Sequence, residues 1–361
     1  MCSKRLKVCF ISTAKIWGGG EIWHYKTICE MRGEIESLAI AAPHSPFHQH
    51  VSAIDVPTAT IRGGKFAWLN PFKLLKAIVL LRRLRPDAIL FNGSADFKLF
   101  ALAGRLAGVP KRVYRRDNGS VIKPRPLNLL ILRCVTHYIY TSQLLFDRLS
   151  PAVFRALRHA KVEHICNAIS LKAWEEQMPE PLRDRQPSEM VFGCLARLSL
   201  EKGLLDIPEA VASLSQSERP FRVLIAGVGP LEAELRERIV ELGLQQRIEL
   251  LGFVDNKAFL RSIDCLLLPS RWESQATVAI EAMAMRLPVV AYNASSNPEV
   301  VCHGQTGLLA EAFNVSDFAA QMRFMLNHPS DMQRMGYEGR LLMEAKFTKE
   351  RTNAQLLAYL R

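Results

Sequence analysis

Short apolar runs alternate with amphipathic stretches along most of the chain, and the alternation restarts once. In the first half, Lys7–Ser12, Ser37–Ala41, Asp87–Phe91, Arg112–Arg115 and His137–Thr141 predict strands. Glu21–Arg32, Phe72–Leu84, Asp96–Ala107 and Gln143–Leu149 predict the intervening helices. In the second half, strands are predicted at Met190–Ala196, Arg222–Ala226, Arg247–Leu251, Leu266–Leu268 and Leu287–Ala291. Helices are predicted at Leu231–Leu242, Lys257–Ile263, Ala276–Met285, from Asn297, and at Asp317–Leu326, Asp331–Ala345 and Arg351–Leu360. Strand–helix alternation with short loops implies parallel sheets covered on both faces. Ser170–Ser188, with Pro179, Pro181 and Pro187, interrupts the pattern and reads as a linker. The expected organisation is therefore an α/β domain over 1–169, a linker over 170–188, a second α/β domain over 189–345, and a C-terminal helix in 346–361 free to pack back on the first domain.

One stretch departs from ordinary amphipathicity. Ala276–Met285 is apolar almost all round, and Glu273, Thr277 and Glu281, spaced four apart, would form its polar stripe. Two carboxylates there, just after a strand's C-terminal end, point at a cleft. A solvated helix face gives the same spacing.

At 361 residues the chain suits two domains, and 49% apolar with 23% charged residues is a globular composition. No run reaches the ~18 uninterrupted apolar residues of a spanning helix. The opening MCSKRLKVCFIS reads as a first strand rather than a signal peptide. Eight cysteines without any C-x-x-C suit free thiols in a reducing cytoplasm. Charge is unevenly placed: residues 1–187 hold 29 Lys+Arg against 14 Asp+Glu, and residues 188–361 hold 18 against 21. A basic first half suits a polyanion, whether nucleic acid, phosphorylated glycan or anionic membrane surface.

Candidate chemistry follows the strand ends. Gly18–Gly20 precede a helix and let a backbone approach a ligand, although G-x-G-x-x-G is not formed and a plain turn explains them equally. Lys111, Arg112, Arg115, Arg116, Lys123 and Arg125 surround a strand end and are suited to phosphate, or to a solvated basic surface. His44, His48 and His50 share a proline-bearing loop, but no cysteine or carboxylate cluster completes a metal shell, so no metal site is assigned. Helix Phe72–Leu84 reads as a core helix with Lys73, Lys76, Arg82 and Arg83 outward, a back that could also meet anionic headgroups. Arg197 and Lys202 flank a strand-to-helix turn, a reasonable phosphate clamp. There is no D-x-D in the chain, which argues against a diphosphate held through a carboxylate-bound cation.

Several blocks then resemble one family in order. PSRWESQATVAIEAMAMRLPVVA is similar to the E-x7-E signature of family 4 retaining glycosyltransferases, with Glu273 and Glu281 as the pair. LARLSLEKG resembles that family's G-R-L-x-x-E-K-G element, and AGVGPLEAEL, LLGFVDNKAFLRSIDCLLLPS and NPEVVCHGQTGLLA resemble further blocks. In the first half WGGGE and HICNAI resemble the glycine-rich loop and the segment before the linker. The resemblance implies the GT-B architecture: two Rossmann-like domains facing across a cleft, the second holding the nucleotide-sugar and the first the acceptor. It implies that Arg197 and Lys202 neutralise the departing diphosphate, that Glu281 binds ribose hydroxyls, and that Glu273 contacts the donor sugar. The amides of Ser274, Gln275 and Ala276 would assist the phosphates, with Thr277 beside them, and Phe253 and Val254 would lie near the base. Gly18, Gly19 and Gly20 would pass close to the diphosphate and acceptor. Many relatives carry a histidine where this chain has Arg116-Asp117-Asn118, so these become donor-sugar contacts, with Asp117 a hydroxyl ligand or base or simply a turn residue. Glu273-Ser274-Gln275-Ala276 replaces E-x-F-G, so the sugar pocket differs, and Arg286 replaces a common glycine.

The expected function is a retaining, metal-independent glycosyltransferase without cofactor, the nucleotide-sugar being a co-substrate. Its expected partner is a phosphorylated or lipid-linked glycan, as in lipopolysaccharide core or other surface polysaccharide synthesis, not nucleic acid. It would be cytoplasmic or peripheral on the inner face of the cytoplasmic membrane. The rivals are a nucleotide-sugar 2-epimerase on the same architecture and a catalytically silent nucleotide-sugar-binding module.

Overall fold

The computed structural model describes residues 5–117, 119, 121–176, 179–182, 189–214 and 219–361. Asn118, the linker positions 177–178 and 183–188, and the first four residues lie outside them. The chain divides into two compact units, Met1–Asn167 with Thr352–Arg361, and Ala168–Arg351.

The first unit runs β1 (Leu6–Ser12), α1 (Gly19–Glu30), β2 (Ile35–Ala41), α2 (Pro46–Ser52), β3 (Thr58–Thr60), α3 (Pro71–Leu84), β4 (Ala88–Phe91), α4 (Ser94–Ala107), β5 (Lys111–Arg116), α5 (Pro126–Leu132), β6 (His137–Tyr140), α6 (Gln143–Asp147), α7 (Pro151–Leu157) and β7 (Lys161–His164). Its strands form one parallel sheet in the order β3-β2-β1-β4-β5-β6-β7. Central strands are buried on both faces, as Val8–Ile11 and Ala88–Phe91 are, which is why they read as unbroken apolar runs. One face is covered by α3, α4, α5 and α7 through Leu81, Phe100, Leu132 and Leu157. The other is covered by α1, α2 and the C-terminal helix Lys349–Leu360 through Ile28, Phe47, Leu356 and Leu360. Proline after a polar cap starts α3 and α7: Asn70 Oδ1 accepts from the Lys73 amide at 3.1 Å, and Ser150 Oγ from the Val153 amide at 3.4 Å.

The second unit contains α8 (Leu171–Glu175), β8 (Met190–Leu195), α9 (Asp206–Ser213), β9 (Phe221–Ala226), α10 (Glu232–Glu241), β10 (Ile248–Gly252), α11 (Asn256–Arg261), β11 (Cys265–Leu268), α12 (Thr277–Ala284), β12 (Val289–Tyr292), α13 (Asn297–Val300), β13 (Gly307–Ala310), α14 (Val315–Asn327) and α15 (Pro329–Lys346). Its parallel sheet has the order β10-β9-β8-β11-β12-β13. Both sheets reverse strand order once, at β1/β4 and at β8/β11, and the crevice outside the carboxyl ends at such a point is where open α/β sheets take ligands.

Three local expectations need correcting. His48 and His50 sit on α2 rather than in a loop, because Ser45 Oγ caps that helix at the His48 amide (3.2 Å) with Pro46 at its first position. Among the described residues no cluster of three or more His, Cys, Asp or Glu could hold a metal. The segment 170–188 is not wholly linker, since Ser170 Oγ caps α8 at the Ala173 amide. And α3 does not turn all its apolar residues inward: Phe72, Leu75 and Val79 are exposed. Among the described residues no helix is long and apolar enough to cross a membrane.

Candidate active site

In the second unit the switch point brings together the turn after β8 and the loop after β11. Gly203, at φ +65°, ends the first turn where a Cβ would stand 2.0 Å from the Pro269 carbonyl, so only glycine lets the two loops meet. The contact is then sealed by backbone: the Glu201 carbonyl accepts from the amides of Arg271 (2.9 Å) and Trp272 (3.0 Å). It delivers Lys202 Nζ to Glu273 Oε1 at 2.6 Å, and Ser270 Oγ donates to the same oxygen at 2.9 Å. Ser295 Oγ accepts from the Glu273 amide (2.8 Å) and donates to its carbonyl (2.7 Å), holding the loop from behind.

The turn after β8 and the start of α12 line a cavity of about 520 Å³, with Arg197, Gly227, Phe253, Val254, Thr277 and Glu281 among its walls. Arg197 is exposed and, among the described residues, makes no ion pair. Gly227 supports its turn, since a Cβ there would lie 1.9 Å from the Ala196 carbonyl. Glu281, on the first turns of α12, accepts from Asn256 Nδ2 at 3.4 Å. Phe253 lines the cavity and is 85% exposed, an aromatic face left open. Two cations and two carboxylates with an open aromatic face can bind a ligand that carries anionic, hydroxylated and aromatic parts.

In the first unit the corresponding crevice is more buried. Gly18 precedes α1, and its amide donates to Glu21 Oε2 at 3.1 Å while Ser12 Oγ donates to Glu21 Oε1 at 2.7 Å. Gly20 packs so closely that a Cβ would stand 3.0 Å from Asn92 Nδ2 and 3.4 Å from Asp117 Oδ2. Asp117 accepts from Arg115 Nη1 at 2.6 Å and from Asn92 Nδ2 at 3.4 Å. Arg115 is fully buried, stacks its guanidinium 4.0 Å from the centre of the Trp23 ring, and donates also to Asn167 Oδ1. His24 is fully buried beside it, and burial, then the Arg115 charge, push its pKa down to about 3 against an opposing contact with the Asn92 side chain. Asp96, in the first turn of α4, accepts from the Thr13 amide at 3.2 Å and from the Thr13 hydroxyl, yet burial pushes its carboxyl up to about 6.

Residues 180–342 match the family of glycosyl transferases group 1. A 2-deoxystreptamine glucosyltransferase of Streptomyces kanamyceticus is 30% identical over 83% of this chain and 82% of its own length. The chain belongs to the group 1 glycosyl transferases. A lipopolysaccharide core biosynthesis mannosyltransferase, LpsB of Rhizobium meliloti, is 26% identical over 82% of this chain and 90% of that protein. An alpha-D-kanosaminyltransferase of Streptomyces kanamyceticus is 30% identical over 48% of this chain, which spans 45% of that protein. Among solved structures, HepE of Anabaena in complex with UDP and glucose superposes with a TM-score of 0.78 at 20% identity, covering 99% of both chains. A glycosyltransferase of Rickettsia africae gives 0.83 at 16% identity, covering 99% of this chain and 98% of that one. The fold is thus the GT-B type.

On this glycosyltransferase scaffold the residues singled out in the sequence fall into two groups. Arg197, Phe253, Val254, Thr277 and Glu281 line one cavity of the second unit, and Lys202 and Glu273 pair with each other on the loops after β8 and β11. Glu273 is not on the helix stripe: α12 begins only at Thr277, and Glu273 belongs to the preceding loop. Ser274 is half-buried, while Gln275 and Ala276 are buried under the helix start. Gly18–Gly20, Arg116 and Asp117 gather at the strand ends of the first unit. The basic cluster is not one phosphate site. Arg112 spends its donors on the carbonyls of Cys134 and Val109 (2.5 Å each), and Lys111 reaches the carbonyls of Leu360 and Arg361. Sequence reasoning missed Asp96, His24 and Ser295, which look there like an ordinary helix-start acid, helix histidine and loop serine.

Proposed function

We propose that the protein is a family 4 retaining glycosyltransferase that moves a sugar from a nucleotide-diphosphate sugar to a phosphorylated or lipid-linked glycan, without a metal ion. The observation that carries the reading is the cavity that Arg197 and Glu281 line together, with the Lys202–Glu273 pair held on the loops that follow the adjacent strands β8 and β11. As the bond between the sugar's anomeric carbon and the β-phosphate oxygen breaks, charge grows on the diphosphate. Arg197, on the cavity wall, and Lys202, held by Glu273, meet that charge as it grows and so stabilise the transition state more than the bound donor. The acceptor hydroxyl then attacks from the same face, forming the new C–O bond, and its proton passes to the leaving phosphate oxygen. No protein nucleophile is needed on that path. Glu273, held by Lys202 and Ser270, positions the sugar hydroxyls, and Glu281 the ribose diol. Metal independence rests on the two cations and on the absence of D-x-D from the sequence.

Similarity to structures solved with UDP and glucose supports a nucleotide-sugar donor, and similarity to LpsB supports an acceptor in lipopolysaccharide core or surface polysaccharide assembly. The acceptor belongs to the first unit in this reading, where Asp117, Asn92 and the Gly18–Gly20 backbone converge. The test is a panel of nucleotide-sugars, with and without glycan acceptors and with chelator present, followed by release of nucleoside diphosphate. A transferase releases diphosphate faster with its acceptor and keeps the anomeric configuration of the donor. An epimerase retains the diphosphate in its product, and a silent module releases none; either outcome, or an inverted linkage, overturns the proposal.

A further inference from the structure

The two faces of the first unit are unlike. Trp23, Ile28 and Phe47 on the α1/α2 side are buried, and among the described residues the large exposed apolar side chain there is Ile16, in the loop before α1. The α3/α4/α5/α7 side instead leaves apolar side chains in water on every helix. On α3, Phe72 is 81% exposed, Leu75 59% and Val79 56%, at the 3–4 residue spacing of one helix face. The turn leading into α3 adds Phe66 and Leu69, and α5 adds Leu127 and Leu130. These neighbouring helices pack on one core, so the exposed side chains belong to one layer.

That layer is also cationic. Residues 62–86 hold seven Lys and Arg and no Asp or Glu. Lys76, Arg82 and Arg83 are exposed beside the apolar side chains of α3, with Lys73 half-buried. At the other end of the layer, Arg133, Arg155 and Arg158 line a groove of about 590 Å³ between α5 and α7, and among the described residues none of the three is in an ion pair. Apolar side chains beside a large excess of unpaired cations suit an amphiphilic partner with negative headgroups, since a purely aqueous polyanion has no use for Phe72 or Leu75.

We infer that the α3/α4/α5/α7 face of the first unit docks on an anionic lipid bilayer, with Phe72, Leu75 and Val79 entering the headgroup boundary and the surrounding lysines and arginines on lipid phosphates. This goes beyond the glycosyl transfer proposed above, and its test reads no turnover, so either can fail alone.

The experiment is flotation of the full chain with phosphatidylcholine vesicles, with and without phosphatidylglycerol, at low and high salt. The expected result is flotation with the anionic vesicles that salt weakens. Each cation at an anionic surface contributes about fivefold in partitioning, so Lys73→Glu with Lys76→Glu lowers it by more than about tenfold. Phe72→Ser/Leu75→Ser/Val79→Ser lowers it as well at unchanged salt dependence. Lys26→Glu, at an exposed position of α1, leaves it unchanged, and thermal melts of all variants confirm folding. No flotation, equal flotation with neutral vesicles, or variants that float like the parent overturn the inference. So does a solution dimer that the triple serine variant disperses without any vesicle binding, which would assign the face to a second copy.

Discussion

Asp96 offers a stability test that depends on one buried proton. Its carboxyl is fully enclosed and raised to about 6 by burial, against which the two hydrogen bonds from Thr13 work incompletely. A carboxyl whose folded pKa exceeds its unfolded value binds more protons when folded. Its contribution is therefore fully present below the unfolded value, near 3.8, and is lost as the pH rises through about 6. A shift of about two units corresponds to about 3 kcal/mol across the whole window, and to about 1.3 kcal/mol between pH 5 and 7. His24 acts in the opposite sense: its folded pKa of about 3 means stability is lost as the pH falls below the ordinary histidine range. The parent protein alone therefore blurs the two slopes. Asp96→Asn removes only the first, while its amide oxygen can still accept from Thr13. The assay is calorimetric unfolding of parent and Asp96→Asn at pH 5, 6 and 7, following the transition that the substitution moves. The parent should lose about 1.3 kcal/mol relative to Asp96→Asn over that range. A difference that stays flat from pH 5 to 7 would refute the argument that burial dominates this site.

Two further outcomes follow from the second unit. Lys202→Met removes a cation from the leaving group and should lower kcat by about 10²–10³ with little change in donor KM, as read in single-turnover kinetics; an equal rise in KM at constant kcat would make Lys202 a mere binding group. Gly203→Ala forces a Cβ against the Pro269 carbonyl at a positive φ, and should destabilise the second unit by more than about 1 kcal/mol and depress turnover with it; an unchanged thermal midpoint would show that the two loops can separate.

Much of the architecture is legible in the chain because a parallel sheet buries both faces of its strands, and Val8–Ile11 or Leu266–Leu268 can be little else. Edge strands are not: β3 is three half-buried residues, and β7, Lys-Val-Glu-His, carries no apolar run. The cations of the site were legible as a strand-end pair. The place of Glu273 was not, since the four-residue spacing to Thr277 mimics a helix stripe. What keeps Glu273 off the helix is distant in sequence, namely the Glu201 carbonyl on Arg271 and Trp272, and the Ser295 clamp. Arg115 misled for the same reason. A strand-end arginine suggests phosphate, but Trp23, Asp117 and Asn167 enclose it.

In the proposed function one cavity of the second unit holds the donor through Arg197 and Glu281. Calorimetric titration of a nucleoside diphosphate into the parent, Arg197→Ala and Glu281→Ala tests it directly. Loss of either charged hydrogen-bonding group should weaken binding by roughly tenfold to a hundredfold, with folding intact by thermal melt. Binding that is unchanged in both variants would contradict the account.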